Sequence, residues 1–245
     1  MDDEIHKIPC LRSIARVVYC LLIAPFKSFP GSENYWKQRY RSGGTSGSGS
    51  YHRLAEFKAE VLNSFVRDKQ IRTIIEYGCG DGNQLRLLEY PTYVGFDVSP
   101  DAISQCKHLF IDDATKTFKL MNAYADETAQ LTLSLDVIYH LVEDEVFSAY
   151  MKRLFDSSTT FVIVYSTDTD KQARVQAPHV KHRQFSRWIK QCKPEWKLIR
   201  HIPNRYPFTA DEQAGSCADF YIYEKTGRIA ASDRDSTVFF PKQDS

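Results

Sequence analysis

The stretch from Thr73 to Gly82, TIIEYGCGDG, constrains this chain more than any other. A short β-rich run ends around the acid Glu76, and Gly78, Gly80 and Gly82 follow at alternate positions. Glycine is scarce, 11 in 245 residues, yet eight of the eleven fall between Gly43 and Gly95. Glycines placed directly after a strand let the backbone turn tightly and let a ligand lie against its N–H groups.

The same pattern of strand, turn and helix continues downstream. Asn83 to Glu89 reads as a helix halted before Pro91. Tyr93 to Val98 reads as a second strand, followed by Ser99-Pro100-Asp101, an N-cap, a first-turn proline and an acid where a helix should start. Phe118–Asn122, Leu131–Ile138, Thr160–Ser166, Trp196–Ile202 and Ala218–Glu224 read as five more strands. Helical stripes run through Leu54, Phe57, Val61, Leu62, Phe65 and Val66, with Ser50 as the expected N-cap, and through Val146, Phe147, Tyr150, Met151, Leu154 and Phe155, opened by Glu143, Asp144 and Glu145. A further helix is expected over Gln184–Cys192. Alternation at this spacing predicts an α/β fold, a doubly wound, seven-stranded, mostly parallel sheet with helices on both faces.

Four segments follow: an apolar and basic helical segment over 1–32, an aromatic and Gly/Ser lid segment over 33–50, the main domain over 51–225, and a polar tail over 226–245. The apolar run Val17–Ala24 is too short to span a bilayer, which needs about 20 residues. Two readings of residues 8–29 stay open, a helix packed on the domain or an interfacial helix at the inner face of the membrane.

A net charge of +1 supplies no field for nucleic acid, and none is expected as a partner. The distribution is uneven: Lys171–Arg205 holds ten Lys/Arg against the acid Glu195. The six cysteines show no C-x-x-C and no zinc spacing, which predicts a reduced cytoplasmic protein with buried free thiols; no metal ligands are assigned, and the acidic runs Asp112-Asp113 and Glu143-Asp144-Glu145 read as solvated faces. Nothing in the sequence fixes an oligomeric state.

In a doubly wound sheet the ligand lies beyond the carboxyl ends of the strands. Glu76 stands at one such end, and Asp97 at the next, 21 residues later, the distance at which a carboxylate reaches the two hydroxyls of a ribose. A dinucleotide fingerprint would require glycine where this chain has Asn83, and Asp81 puts negative charge where a pyrophosphate would sit. A cofactor with a ribose but no phosphate suits the acidic turn better.

Ile75–Gly82 resembles the first motif of the class I methyltransferases that use S-adenosylmethionine, Val94–Ser99 resembles their second, and Leu135–Leu141 resembles the motif at the end of their fourth strand. The resemblance spans roughly Leu54 to Lys225 and implies a Rossmann-like fold, S-adenosylmethionine as cofactor, and methyl transfer. At the matching positions it implies that Gly78, Gly80 and Gly82 form the cofactor turn, Glu76 supports it, Asp97 holds the ribose, Asn122 lies by the adenine, and Asp136 touches the cofactor or takes part in catalysis. A hydroxyl acceptor needs its proton removed, and His140 and Asp136 are the candidate catalytic residues.

Tyr35-Trp36-Lys37-Gln38-Arg39-Tyr40 with the glycine-serine stretch after it resembles the front lid of bacterial methyltransferases found among surface-polysaccharide genes. That resemblance implies O-methylation of a sugar, glycan or phosphorylated glycan precursor, with the aromatics stacking on rings and Lys37, Arg39, Arg41, His179, Lys181, His182 and Arg183 facing an anionic acceptor. The alternatives are N-methylation of a small molecule or protein, and a non-catalytic relative that binds the cofactor.

Overall fold

The computed structural model describes residues 29–174, 176–208 and 215–227. The expected N-terminal helix and the tail beyond Gly227 lie outside the described residues. The elements, in order, are α1 (Ser32–Arg41), α2 (His52–Asp68), β1 (Thr73–Tyr77), β2 (Thr92–Asp97), α3 (Pro100–Leu109), β3 (Lys116–Leu120), β4 (Ala129–Leu135), α4 (Asp144–Asp156), β5 (Ser158–Ser166), α5 (Phe185–Cys192), β6 (Trp196–Ile202) and β7 (Asp219–Lys225).

The seven strands form one sheet in the order β3-β2-β1-β4-β5-β7-β6. The first five run parallel, with Ile75 opposite Val94 on one side and Thr132 on the other, while β7 runs antiparallel to both β5 and β6. Strand order reverses between β1 and β4. There the carboxyl ends part and a crevice opens.

Each face of the sheet has its own core. One buries Phe57, Leu62 and Phe65 of α2 and Ile103 and Cys106 of α3 against Ile74, Leu133, Ile163 and Phe220. The other buries Phe147, Met151, Leu154 and Phe155 of α4 and Phe185 and Ile189 of α5 against Ile75, Tyr77, Val162 and Val164. Alternate strand residues therefore face opposite helical layers, and the doubly wound expectation holds.

Two local expectations fail. The helix expected over Asn83–Glu89 is a single 3₁₀ turn at Leu85–Leu87, because Gly80 and Gly82 are both left-handed (φ +59° and +77°) and the chain must reach β2 within a few residues. Leu85, Leu88 and Tyr90 then pack directly into the core on one face of the sheet, with Tyr90 stacked on Tyr93 of β2. Ser50 does not cap α2 either. It ends a 3₁₀ turn, Ser48–Ser50, and its carbonyl accepts from Asn83 Nδ2 at 2.7 Å, so Tyr51 occupies the N-cap position. At α3 the cap is as expected, with Ser99 Oγ accepting from the Ala102 N–H.

No helix among the described residues is long and apolar enough to cross a membrane. Four described cysteines are unpaired: Cys79 and Cys106 are buried, whereas Cys192 and Cys217 are exposed, contrary to the expectation of buried thiols.

Candidate functional site

A cavity of about 320 Å³ opens at the carboxyl ends of β1, β2 and β4. Its floor is Glu76, Gly78, Gly80 and Asp81 after β1, Asp97 and Val98 after β2, and Asp136, Val137 and His140 after β4. Trp36, Tyr40, Ser46 and Ser50 cover it, and Lys58 and Gln84 close one side.

Asp97 is buried and held by backbone N–H groups, from Gly80 to Oδ2 at 3.0 Å and from Ser99 to Oδ1 at 2.8 Å. Burial raises its carboxyl to about 6, and the Ser99 and Gly80 amides oppose the rise. Glu76 accepts from the Tyr93 hydroxyl at 2.6 Å, and burial raises it to about 7 against that hydrogen bond and the nearby Lys58 ammonium.

Both folded values lie above those of the unfolded chain, so the folded protein keeps these protons to higher pH. The stabilisation is complete below about pH 4 and is lost as pH rises through about 6 and 7, of the order of 3 kcal/mol for each group. Melting curves of the apoprotein should show this as a fall in Tm from about pH 5 to about pH 8 that is shallower in Glu76→Gln. A parallel fall in wild type and variant would remove Glu76 as its source.

Asp136 takes a left-handed backbone (φ +59°), with its N–H donating to the Tyr165 carbonyl at 2.9 Å. Tyr139 OH donates to its Oδ1 at 2.8 Å, and Lys58 Nζ donates to Oδ2 at 2.7 Å. Lys58 is 1 % exposed and was not among the residues expected at the site. It stands four residues from both Leu54 and Leu62, on the apolar stripe of α2, and a charge on a buried stripe was the signal that could have found it.

His140 sits edge-on to Trp36, ring centroids 4.9 Å apart, and near-parallel to His179 at 5.4 Å. Burial lowers its imidazole to about 4, so the ring is neutral at physiological pH. Nδ1 lies 3.1 Å from the His179 carbonyl, an acceptor, so Nδ1 carries the proton and Nε2 the lone pair.

The lid segment, α1 with the glycine-serine stretch after it, is a strap tied down at both ends. Ser32 N–H and Oγ donate to Glu143 at 2.9 and 2.5 Å. At the other end Asp81 Oδ2 accepts from the Ser46 N–H at 2.9 Å and from Tyr51 OH at 2.8 Å, while the Asp81 N–H donates to Ser46 Oγ at 3.0 Å. A Cβ on Gly80 would stand 2.2 Å from Ser46 Oγ and 2.9 Å from Tyr40 OH, and one on Gly49 would stand 2.8 Å from Asp136 Oδ2. Gly80→Ala should therefore push the strap off the cavity and cost about 1–3 kcal/mol of stability in denaturant titrations. Gly80→Ala/Ser46→Gly should recover part of that loss. No recovery would mean that the φ at Gly80, not the strap, is the cause.

Two expected site residues lie elsewhere. Gly82 packs on α3, where a Cβ would meet Cys106, Phe110 and Leu109 at 3.1–3.3 Å, so its lack of a side chain serves helix packing. Asn122 is exposed and lines a separate surface depression with Lys107 and Lys119, and Met121, one residue earlier, lines the main cavity instead. Half of the basic stretch is paired: Lys181 and Arg183 with Asp144, Arg187 with Asp170, Lys193 with Asp156, and Arg205 with Glu60. No group of three or more metal-ligating side chains occurs among the described residues.

The family model described as "Methyltransferase domain" matches residues 75–163. No curated protein sequence matches the chain. Among solved structures, the chain is similar to the N-methyltransferase NodS from Bradyrhizobium japonicum in complex with S-adenosyl-L-homocysteine, at 12 % identity and a TM-score of 0.60, covering 80 % of this chain and 98 % of that one. It is also similar to magnesium protoporphyrin IX methyltransferase from Synechocystis with bound S-adenosylmethionine, at 14 % identity and a TM-score of 0.54, covering 88 % and 97 %. The methyltransferase domain of bacterial CtHen1 follows at 18 % identity and a TM-score of 0.54, covering 69 % and 97 %. Residues 75–163 thus carry a methyltransferase domain, and the chain has the Rossmann-like fold of the S-adenosylmethionine-dependent methyltransferases.

Proposed function

We propose that this protein is an S-adenosylmethionine-dependent methyltransferase that acts on a hydroxyl oxygen of a sugar or glycan precursor. The observation that carries the choice of oxygen is His140, a neutral imidazole whose Nδ1 is engaged by the His179 carbonyl and whose Nε2 lone pair belongs to a ring lining the cavity.

The residues present fit the cofactor. The cavity is in the range that holds a small ligand, and Asp97 lines it with a carboxylate already fixed by two amides. Gln84 lines it too, and its Oε1 is buried without any hydrogen-bond donor, a vacant acceptor inside the proposed site. Asp97 would hold the ribose hydroxyls, and Gly78 and Gly80 would let the methionyl chain lie on the backbone. The cofactor, when bound, supplies a methyl group on a cationic sulfur that is already a good leaving group.

The remaining work falls to the chain's own residues. The strap excludes water, and Trp36 fixes the plane of the His140 ring. His140 Nε2 accepts the acceptor's hydroxyl proton as the oxygen approaches the methyl carbon, a step dominated by positioning. Trp36, Tyr40 and His140 line the cavity, with Trp36 edge-on to His140 at 4.9 Å, and supply the aromatic wall on which a sugar ring would rest. An anionic substituent would find Arg39, whose guanidinium lies 5.4 Å over the Trp36 ring, rather than Lys181 and Arg183, whose charges face Asp144.

The test is methyl transfer to a panel of sugar and phosphosugar acceptors, followed by mass spectrometry of the product. An acid-stable methyl ether supports the reading. Methylation confined to amino groups would instead favour N-methyl transfer, and absence of both cofactor binding and turnover would leave the non-catalytic reading.

A further inference from the structure

The lid helix α1 carries two adjacent aromatics whose rings stand at 87° to one another, and they reach different members of one histidine pair. Trp36 meets the edge of His140, whereas Tyr35 lies flat on His179, with centroids 4.2 Å apart and planes within 10°. His179 in turn lies near-parallel to His140, at 5.4 Å and 19°, and its carbonyl accepts from His140 Nδ1. Three rings therefore run in sequence from the lid to the histidine in the cavity wall.

Trp36 and His140 line the cavity, but Tyr35 and His179 do not. The outer two rings thus act on a ligand only through the residues they touch. The loop sets the direction of the His179 carbonyl, since Val180 N–H, of the same peptide group, donates to the Ala177 carbonyl at 3.0 Å. Rotation of the imidazole is another matter. The χ2 torsion of a histidine is broad and roughly two-fold, and a half-turn exchanges the places of the two ring nitrogens. Among the described residues the one printed polar hold on this ring is the bond to the His179 carbonyl, at 3.1 Å. Packing has to do the rest, with His179 on the face of the ring, Trp36 on its edge and Tyr139 beside it at 4.5 Å.

We propose that Tyr35 and His179 are positioning residues for the proton-accepting step: Tyr35 clamps the His179 ring, and that ring with Trp36 keeps His140 with Nδ1 on the carbonyl and Nε2 left for the acceptor. This rests on the reading of His140 as the base and adds the residues that keep it in register. The lid is also joined to the segment leaving His140, because Ser32 Oγ accepts from the Val142 N–H at 2.9 Å. The base is therefore complete only when the lid is shut, and substrates must enter before that.

Steady-state kinetics beside nitrogen NMR of histidine-labelled protein at neutral pH, where the ring is uncharged, test this. Wild type should show a single His140 tautomer, protonated at Nδ1 and identified by its loss in His140→Gln. Tyr35→Leu should show both tautomers and lower kcat about threefold to tenfold. Cofactor affinity and acceptor KM should stay within about twofold, since Glu143 and Asp81 still anchor the strap. Tyr35→Phe should keep most of the wild-type kcat, because the stacked ring remains. His179→Ala retains the carbonyl and loses the ring, so it should match Tyr35→Leu, and the double variant should add little. If Tyr35→Leu does not fold, His179→Ala carries the same two readouts. A wild-type tautomer and kcat in these variants, or full additivity in the double variant, overturns the proposal and leaves the base reading standing. Equal loss of kcat and cofactor affinity would make Tyr35 a prop of the strap and overturns it too. Undiminished turnover in His140→Gln removes the base reading itself, and both positioning roles with it.

Discussion

Asp97→Asn should lower affinity for S-adenosylmethionine about a hundredfold or more, because both oxygens of this carboxylate already have one backbone partner and a ribose needs the rest of their capacity. Gly80 donates to Oδ2 and Ser99 to Oδ1. An asparagine offers one oxygen and one NH₂, so it can keep only one of those amides and faces the other donor to donor. The variant therefore loses the turn geometry, the charge and half of the ribose acceptors together. Hydrogen bonds to an ionised acceptor are worth about 1.5–3 kcal/mol each, so the loss of two corresponds to about two to four decades in affinity. The fold should survive, since the flanking Tyr93 and Phe96 stay buried in the two cores. Titration calorimetry beside circular dichroism decides the matter: a folded variant that binds within about threefold of wild type would remove Asp97 from the site.

Asp97 was legible in the sequence, and the reason shows what kind of residue is. Its place in the cavity follows from its position at a strand end a fixed distance after the first glycine turn, and strand ends survive small errors of boundary. The expected strand Tyr93–Val98 and the observed Thr92–Asp97 differ by one residue at each end and still put Asp97 over the crevice. Trp196–Ile202 matched at both ends because Pro194 and Pro203 bound the β-rich run.

Residues that act through tertiary contact were not legible. Lys58 is remote in sequence from Asp136, and only folding brings them into one ion pair. Gln84 was hidden because its neighbours in the cavity wall, Lys58 and Glu76, are brought beside it only by folding. The glycines divide in the same way. Gly78 and Gly80 could be placed by their spacing, whereas the strap role of Gly49 depends on an approach to Asp136 that no local pattern encodes. The acidic run Glu143–Asp144 is likewise not a merely solvated face: Glu143 anchors the strap at Ser32, and Asp144 holds Lys181 and Arg183.

His140→Gln should lower kcat about a hundredfold to ten-thousandfold while leaving S-adenosylmethionine affinity nearly unchanged, the pattern expected of a proton acceptor that acts on the other substrate. Glutamine roughly fills the space and can still meet the His179 carbonyl, so a collapse of the wall does not account for the loss. The pH profile supplies an independent check because the two buried groups titrate in different windows. Asp97 ionises at about 6 in the free protein, so kcat/KM for the cofactor should fall as pH drops below about 6. His140 stays neutral down to about 4, so kcat at saturating cofactor should hold level below that first break and fall only when the imidazole gains its proton. The two limbs should be separated by about two pH units, and the lower one should vanish in His140→Gln. If kcat and kcat/KM break together, or if the variant keeps its turnover, His140 is a wall of the pocket and the proton leaves by another route.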